Sequence, residues 1–215
     1  MTVASTLNAK RERLVRFSAT QRFTHWCVAA LFGALMFTAI PLYFGSFFGV
    51  VFERHLIALI HLWCGLVLPI PVVGSLLGPW GEPMRRDLRR VNYWTRDELR
   101  SVRSIARRPL DADKFNPGQK LNTAFVGSSI LVMLATGAML QWFGLFPVSW
   151  REGATSVHDA FAYALFAVII GHVVLALAHR DALRSMLSGT VSTKWARTHA
   201  PAWAREEGLD DVETS

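Results

Sequence analysis

Polar and apolar positions along this chain separate into four long apolar runs, at residues 26–44, 55–77, 121–143 and 158–178. As a helix each is long enough to cross ~30 Å of hydrocarbon. The pattern predicts an all-α integral membrane protein built as one four-helix bundle. It divides the chain into a polar arm (1–22), the bundle (23–180, with a long connection at 78–120) and a tail (181–215). Composition agrees: at 52% hydrophobic, the chain is too apolar for an ordinary water-soluble domain of its size.

Charge orients the bundle. The net charge of +7 could suggest nucleic acid, but its distribution excludes that reading. Basic residues crowd the arm (Lys10, Arg11, Arg13, Arg16, Arg22), the 78–120 connection and the tail, and only Arg54 and Arg151 occupy the other two loops. By the positive-inside rule both termini and the long connection are cytoplasmic and the short loops face outward, as expected of a multi-pass membrane protein. The basic segments then lie against anionic lipid. The arm is polar, with no separate apolar stretch before Phe23, so insertion by the first span is expected in place of a cleaved signal.

The chemistry sits on the fourth run, where His158 and His172 are fourteen positions apart. On a helix this separates the imidazoles by ~21 Å along the axis and brings them within ~40° in azimuth. One helix thus offers a ligand near each membrane surface, on a face that must look into protein because polar groups are costly in lipid. His25 opens the first span at the inner level of His172, and His61 lies in the second span at the outer level of His158. Each is followed four residues on by a small side chain (Ala29, Gly65, Ala162, Ala176), leaving room for a flat macrocycle. The pattern fits two stacked haems b, ligated by His25 with His172 and by His61 with His158. Two axial imidazoles close both open positions of the iron, which points to electron transfer and not oxygen chemistry. His55, nearer water and on another face, reads as a surface residue. Arg54 and Arg151 outside, with Arg22 and Arg180 inside, are candidate propionate partners or solvated, topology-setting charges. The cysteines, Cys27 and Cys64, form no Cys-x-x-Cys-His motif, so covalent haem attachment and a cysteine-ligated cluster are excluded. They are expected at opposite levels as small apolar residues without a disulfide.

The connections carry further signals. Thr95-Arg96-Asp97-Glu98 fits a capping box, with Leu99, Val102 and Ile105 at helical spacing behind it. A helix on the membrane surface, or one docked on a partner, satisfies that pattern equally. Pro69 and Pro71 should loosen the lower half of the second span. Asn116-Pro117-Gly118-Gln119 has the form of an N-cap for the third span. The same Asn116 and Gln119, with the flanking lysines, could serve a quinone headgroup at the inner mouth of the bundle, and the two roles can coexist. The third span, free of histidine and rich in small residues, reads as a wall. Residues 183–195 read as a second surface segment, and the acidic residues after Arg205 as a disordered end.

The motifs Phe23-Thr24-His25-Trp26, Ile60-His61-Leu62-Trp63-Cys64-Gly65 and Lys114-Phe115-Asn116-Pro117-Gly118-Gln119-Lys120, together with the fourteen-residue histidine pair and Gly189-Thr190-Val191-Ser192-Thr193-Lys194-Trp195-Ala196-Arg197, resemble the gamma, cytochrome b subunit of membrane-bound formate dehydrogenases. The resemblance implies the two haems b above and a quinone site near the inner one, lined by Asn116, Gln119 and the His172 region. It also implies an iron–sulfur subunit and a molybdenum or tungsten catalytic subunit as partners, with electrons passing from outer to inner haem to menaquinone or ubiquinone. The chain departs from the family pattern at Pro117 and at His199-Ala200-Pro201. Two rivals stand beside this reading. One is a stand-alone di-haem cytochrome exchanging electrons between quinone and a small outer-side donor such as superoxide. The other is a haem-free anchor that holds a soluble enzyme at the membrane.

Overall fold

A computed structural model describes residues 13–45, 53–104 and 111–209. In chain order the elements are β1 (Arg13–Val15), α1 (Ala19–Tyr43), α2 (Arg54–Val67), α3 (Pro69–Leu76), α4 (Glu82–Asn92), α5 (Arg96–Ser104), α6 (Pro117–Gln141), α7 (Val148–Ala178), α8 (Arg180–Ser188), β2 (Thr190–Ser192), α9 (Thr193–His199) and α10 (Pro201–Glu206). Four helical stretches are long and apolar enough to cross a membrane: α1, α2 with α3, α6 and α7, of 25, 23, 25 and 31 residues. The four-helix membrane fold predicted from the hydropathy pattern is therefore observed.

Helix starts follow local chemistry. Ser18 Oγ accepts from the Gln21 backbone N–H at 3.2 Å while Gln21 Oε1 accepts from Ser18 N–H at 2.8 Å, which starts α1. The same reciprocal pair forms between Thr95 and Glu98 (3.2 and 2.9 Å) before α5, and between Asn116 and Gln119 (2.9 and 3.0 Å) before α6. Each box satisfies two backbone donors that the first helical turn leaves unpaired. The second span is interrupted at Leu68, which keeps helical angles (φ −50°, ψ −43°). Pro69 and Pro71 lack the N–H groups that would bond the carbonyls of Gly65 and Val67, so the ladder breaks there without unwinding the chain.

The described residues of the chain form two compact units. One comprises Phe23–Gly81 and Phe125–Val173, the body of the four spans. Its buried centre is Phe32, Leu68 and Leu165, flanked by Val28, Leu31, Leu35, Phe125, Val126, Ile130 and Met133. Phe32, Leu68 and Leu165 each stand seven residues from a histidine, at His25, His61 and His158. The outward faces carry exposed Phe37, Ile70, Leu131 and Tyr163, as suits surroundings of lipid. Ser129, Thr38 and Thr136 are buried, and the small side chains allow close helix approach.

The other unit gathers the described parts of Met1–Arg22, Glu82–Ala124 and Val174–Ser215. Here the structure departs from the sequence pattern. Residues 13–22 are not a free arm: β1 pairs antiparallel with β2, Leu14 opposite Val191, in a short ladder on an otherwise helical chain. The 183–195 segment, expected as one surface-lying stretch, comprises most of α8, then β2 and the start of α9. Gly189 turns the corner between α8 and β2 at φ +83°, and its carbonyl accepts from Arg16 and Phe17 N–H at 2.8 and 3.1 Å. Val191, Ala196, Ala200, Trp203 and Ala204 form a small apolar core under Leu14, Trp195 and Leu209. The acidic end is likewise ordered as far as it is described: Glu206 pairs with Arg90, and Leu209 N–H bonds Ala204 O at 3.0 Å. Ile105, Lys10, Arg11 and the later acidic residues Asp210, Asp211 and Glu213 lie outside the described residues.

Buried ion pairs tie these segments together. Lys114 Nζ reaches both oxygens of Asp87, at 2.8 and 2.6 Å, and Gln21 Nε2 donates to the same carboxylate at 2.6 Å. Arg16, 3% exposed, donates to Lys114 O at 3.1 Å and lies 4.6 Å over the Trp195 ring. Burial lowers its pKa to about 10 against the opposing pull of Asp87, and burial likewise lowers that of Lys114. Lys120 Nζ pairs with Glu98 Oε1 at 2.7 Å and donates to Tyr93 O at 2.8 Å. Glu98 thus caps α5 with one oxygen and neutralises a buried lysine with the other.

Two outcomes follow from this charge arrangement. Asp87→Ala strands Lys114 and Arg16 without their counter-charge and should cost ~3–5 kcal/mol. Arg86→Ala removes only a surface pair with Glu82 and should cost under ~1 kcal/mol; chemical denaturation in detergent separates the two. The Arg90 hydrogen bond holds the Glu206 carboxylate below its ordinary 4.5. Its contribution is present above that pH and is lost as pH falls through the folded value. Amide exchange over α10 should therefore quicken in acid, and Glu206→Gln should abolish that acid step.

Candidate functional site

Within the span unit, α1 and α7 bring His25 and His172 together with ring centroids 6.3 Å apart and planes inclined at 58°. Trp26 meets His25 edge-on at 5.4 Å and fixes one side of that ring. α2 supplies His61 and α7 supplies His158, which stands fourteen residues before His172 and so ~21 Å along the helix from it. His61 Nδ1 lies 2.8 Å from Thr38 Oγ1 on α1, and His158 Nδ1 lies 2.9 Å from Thr136 Oγ1 on α6. The third span is thus more than the wall its lack of histidine suggests, because it holds one of the outer imidazoles. Thr38 and Thr136 were not singled out from the sequence. The signal was there: Thr38 is thirteen residues beyond His25, which puts it at the outer level.

The residues fit a haem iron. Among the described residues no group of three or more His, Cys, Asp or Glu converges on one point. A pair of imidazoles could hold the iron of a haem, which would supply one-electron redox chemistry there. Two metal–nitrogen bonds of ~2 Å, with about 1 Å from each nitrogen to its ring centre, span ~6 Å, close to the His25–His172 separation. The His158 ring packs over Gly137, where an added Cβ would lie in van der Waals contact with Cε1 at 3.6 Å. Arg151 stands seven residues before His158, about two turns along the same face, and its buried Nε has no partner among the described residues. That orphan donor suits a haem propionate. Arg22, in the other unit, donates to Leu187 O through Nη1 and keeps Nε unpaired among the described residues.

The other sequence candidates fall in the second unit. Asn116 and Gln119 use their oxygens in the α6 cap, so the NH₂ ends of both amides have no partner among the described residues. Lys114 and Lys120, considered with them as donors to a quinone, are consumed by Asp87 and Glu98. The remaining histidines are peripheral: His55 is exposed, His179 bonds Leu175 O at 2.9 Å, and His199 stacks on Trp195 at 5.0 Å. Cys27 and Cys64 are free thiols, both half-buried.

Comparison with known proteins bears on the whole constellation. The chain is 26% identical over 209 residues to the formate dehydrogenase cytochrome b556 subunit of Haemophilus influenzae, covering 94% of this chain and 86% of that protein. It is 25% identical over 206 residues to the formate dehydrogenase cytochrome b556(fdo) subunit of Escherichia coli K12, covering 92% and 94%. With the nitrate-inducible cytochrome b556(Fdn) subunit of the same organism, identity is 23% over 209 residues, covering 92% and 93%. The profile of the prokaryotic cytochrome b561 family matches residues 16–189, which include all four spans and both histidine levels. The chain belongs to the prokaryotic cytochrome b561 family, as a multi-pass membrane cytochrome b.

Proposed function

We propose that the chain is the di-haem cytochrome b subunit of a formate dehydrogenase-type complex in a bacterial inner membrane, passing electrons from an iron–sulfur subunit on the outer side to menaquinone or ubiquinone on the inner side. The observation that carries this reading is the pairing of His25 with His172 at 6.3 Å on the helix that also presents His158 fourteen residues away. The names of the similar proteins support a formate dehydrogenase as the partner; an iron–sulfur subunit and a molybdenum or tungsten subunit that oxidises formate complete the proposed complex.

When bound, haem b supplies reversible one-electron chemistry at iron. The chain's own residues do the rest. His61 and His158 would hold the outer group and His25 and His172 the inner one. Phe32, Leu68 and Leu165 pack between the levels and exclude water. Arg151 is set to neutralise a propionate. The three segments that carry the basic charge gather in one compact unit, which suits a common, cytoplasmic side for all of them. Asn116 and Gln119 would donate their NH₂ groups to the quinone carbonyls, with protons drawn from the cytoplasm.

Purified in mild detergent, the chain should carry two haems b by pyridine haemochromogen assay. His158→Ala should retain one and His25→Ala the other, distinguishable by optical spectrum. A folded wild-type chain without haem would leave only the bare anchor. Asn116→Asp keeps the capping oxygen but loses the NH₂ donor. It should leave haem content and melting temperature near wild type and raise the apparent KM for quinone several-fold, the effect of losing one hydrogen bond worth about 1 kcal/mol.

A further inference from the structure

We propose that Thr38 and Thr136 are positioning residues that lock the outer imidazoles in one tautomer, with the proton on Nδ1 and the Nε2 lone pair free for iron. The inference rests on the di-haem reading above and adds an asymmetry between its two levels.

A threonine hydroxyl has a single proton to donate and can accept more than one hydrogen bond. Thr38 Oγ1 lies 2.7 Å from Ala34 O and 3.1 Å from Leu35 O, and Thr136 Oγ1 lies 2.8 Å from Val132 O and 3.3 Å from Met133 O. Carbonyl oxygens only accept, so each hydroxyl proton is committed to its own helix. The short contacts from Oγ1 to His61 Nδ1 and His158 Nδ1 then require the ring to be the donor. An imidazole protonated at Nδ1 carries its lone pair on Nε2, which is the form that ligates. The two threonines sit on different helices from their histidines and on different helices from each other, yet make the same bond with the same nitrogen. Capping or back-bonding alone would not produce that correspondence.

The inner rings differ. His25 and His172 have aromatic neighbours, Trp26 and each other, and no hydroxyl partner among the described residues. A hydrogen bond from Nδ1–H to an acceptor makes the ligand more basic and favours the ferric state. The outer iron is therefore the more strongly donated of the two and the lower in potential, so that transfer from outer to inner level runs downhill.

The test uses the full chain in detergent with valine, alanine and serine at each threonine. The readouts are haem per chain, redox titration of both haems and the electron paramagnetic resonance of the ferric form. The outer haem is identified as the one missing from His158→Ala. Thr38→Val and Thr136→Val should keep two haems, raise only the outer potential, and speed loss of the outer haem to an acceptor protein by about tenfold. Thr38→Ser and Thr136→Ser restore the hydroxyl and should restore wild-type values. Thr38→Ala and Thr136→Ala give the same reading if a valine variant does not fold. Two haems with unmoved potentials, or a rise that serine shares, would overturn the tautomer role alone. A folded wild-type chain without haem would overturn the di-haem reading and this inference with it.

Discussion

A polar group placed in hydrocarbon must find its partner inside the protein, and the arrangement of this bundle follows from that requirement. His172 on α7, though exposed, meets the ring of His25 on α1 at 6.3 Å, while His158 on α7 and His61 on α2 are half-buried. The outer rings gain a further partner each from α1 and α6. Every long span is thereby drawn into satisfying an imidazole. The apolar residues that fill the space between the levels are those left when the polar positions have been assigned.

The other unit solves a related problem with charge. Lys114, Lys120 and Arg16 are nearly sealed from solvent, and each is held by groups from a separate stretch of chain: Asp87, Glu98, and Ser185 with the Lys114 carbonyl. Desolvating such groups costs more than an exposed pair returns, so these contacts specify the assembly of β1, α4, α5 and α8 more than they stabilise it. Segments distant in sequence are thereby joined within this unit, most closely at Gly189, where a Cβ would lie 2.7 Å from the Phe17 carbonyl.

Much of this was legible in the sequence because the signals are local. The spans follow from run length, the two histidine levels from the helical repeat, and the α5 and α6 starts from Thr95–Glu98 and Asn116–Gln119. What could not be read depends on pairings across the chain. Nothing near Arg13–Val15 announces a partner at Thr190–Ser192. Glu206 looks like part of a loose acidic end until Arg90 is brought beside it. Lys114 and Lys120 looked available for a ligand because their acidic partners lie 27 and 22 residues away, with no spacing rule linking them. Thr38 and Thr136 were hidden by ordinariness, since a threonine in a membrane helix usually bonds only its own backbone.

The layer formed by Phe32, Leu68 and Leu165 has an electrical meaning. Protons and ions move through protein along chains of water or hydrogen-bonding groups, and a layer of hydrocarbon side chains offers none. Electrons need no such chain, because they tunnel through packed atoms. In the proposed function the middle of the bundle would act as a selective conductor, closed to ions and open to electrons. Enlarging the conducting path by hydrating that layer would turn a wire into a leak.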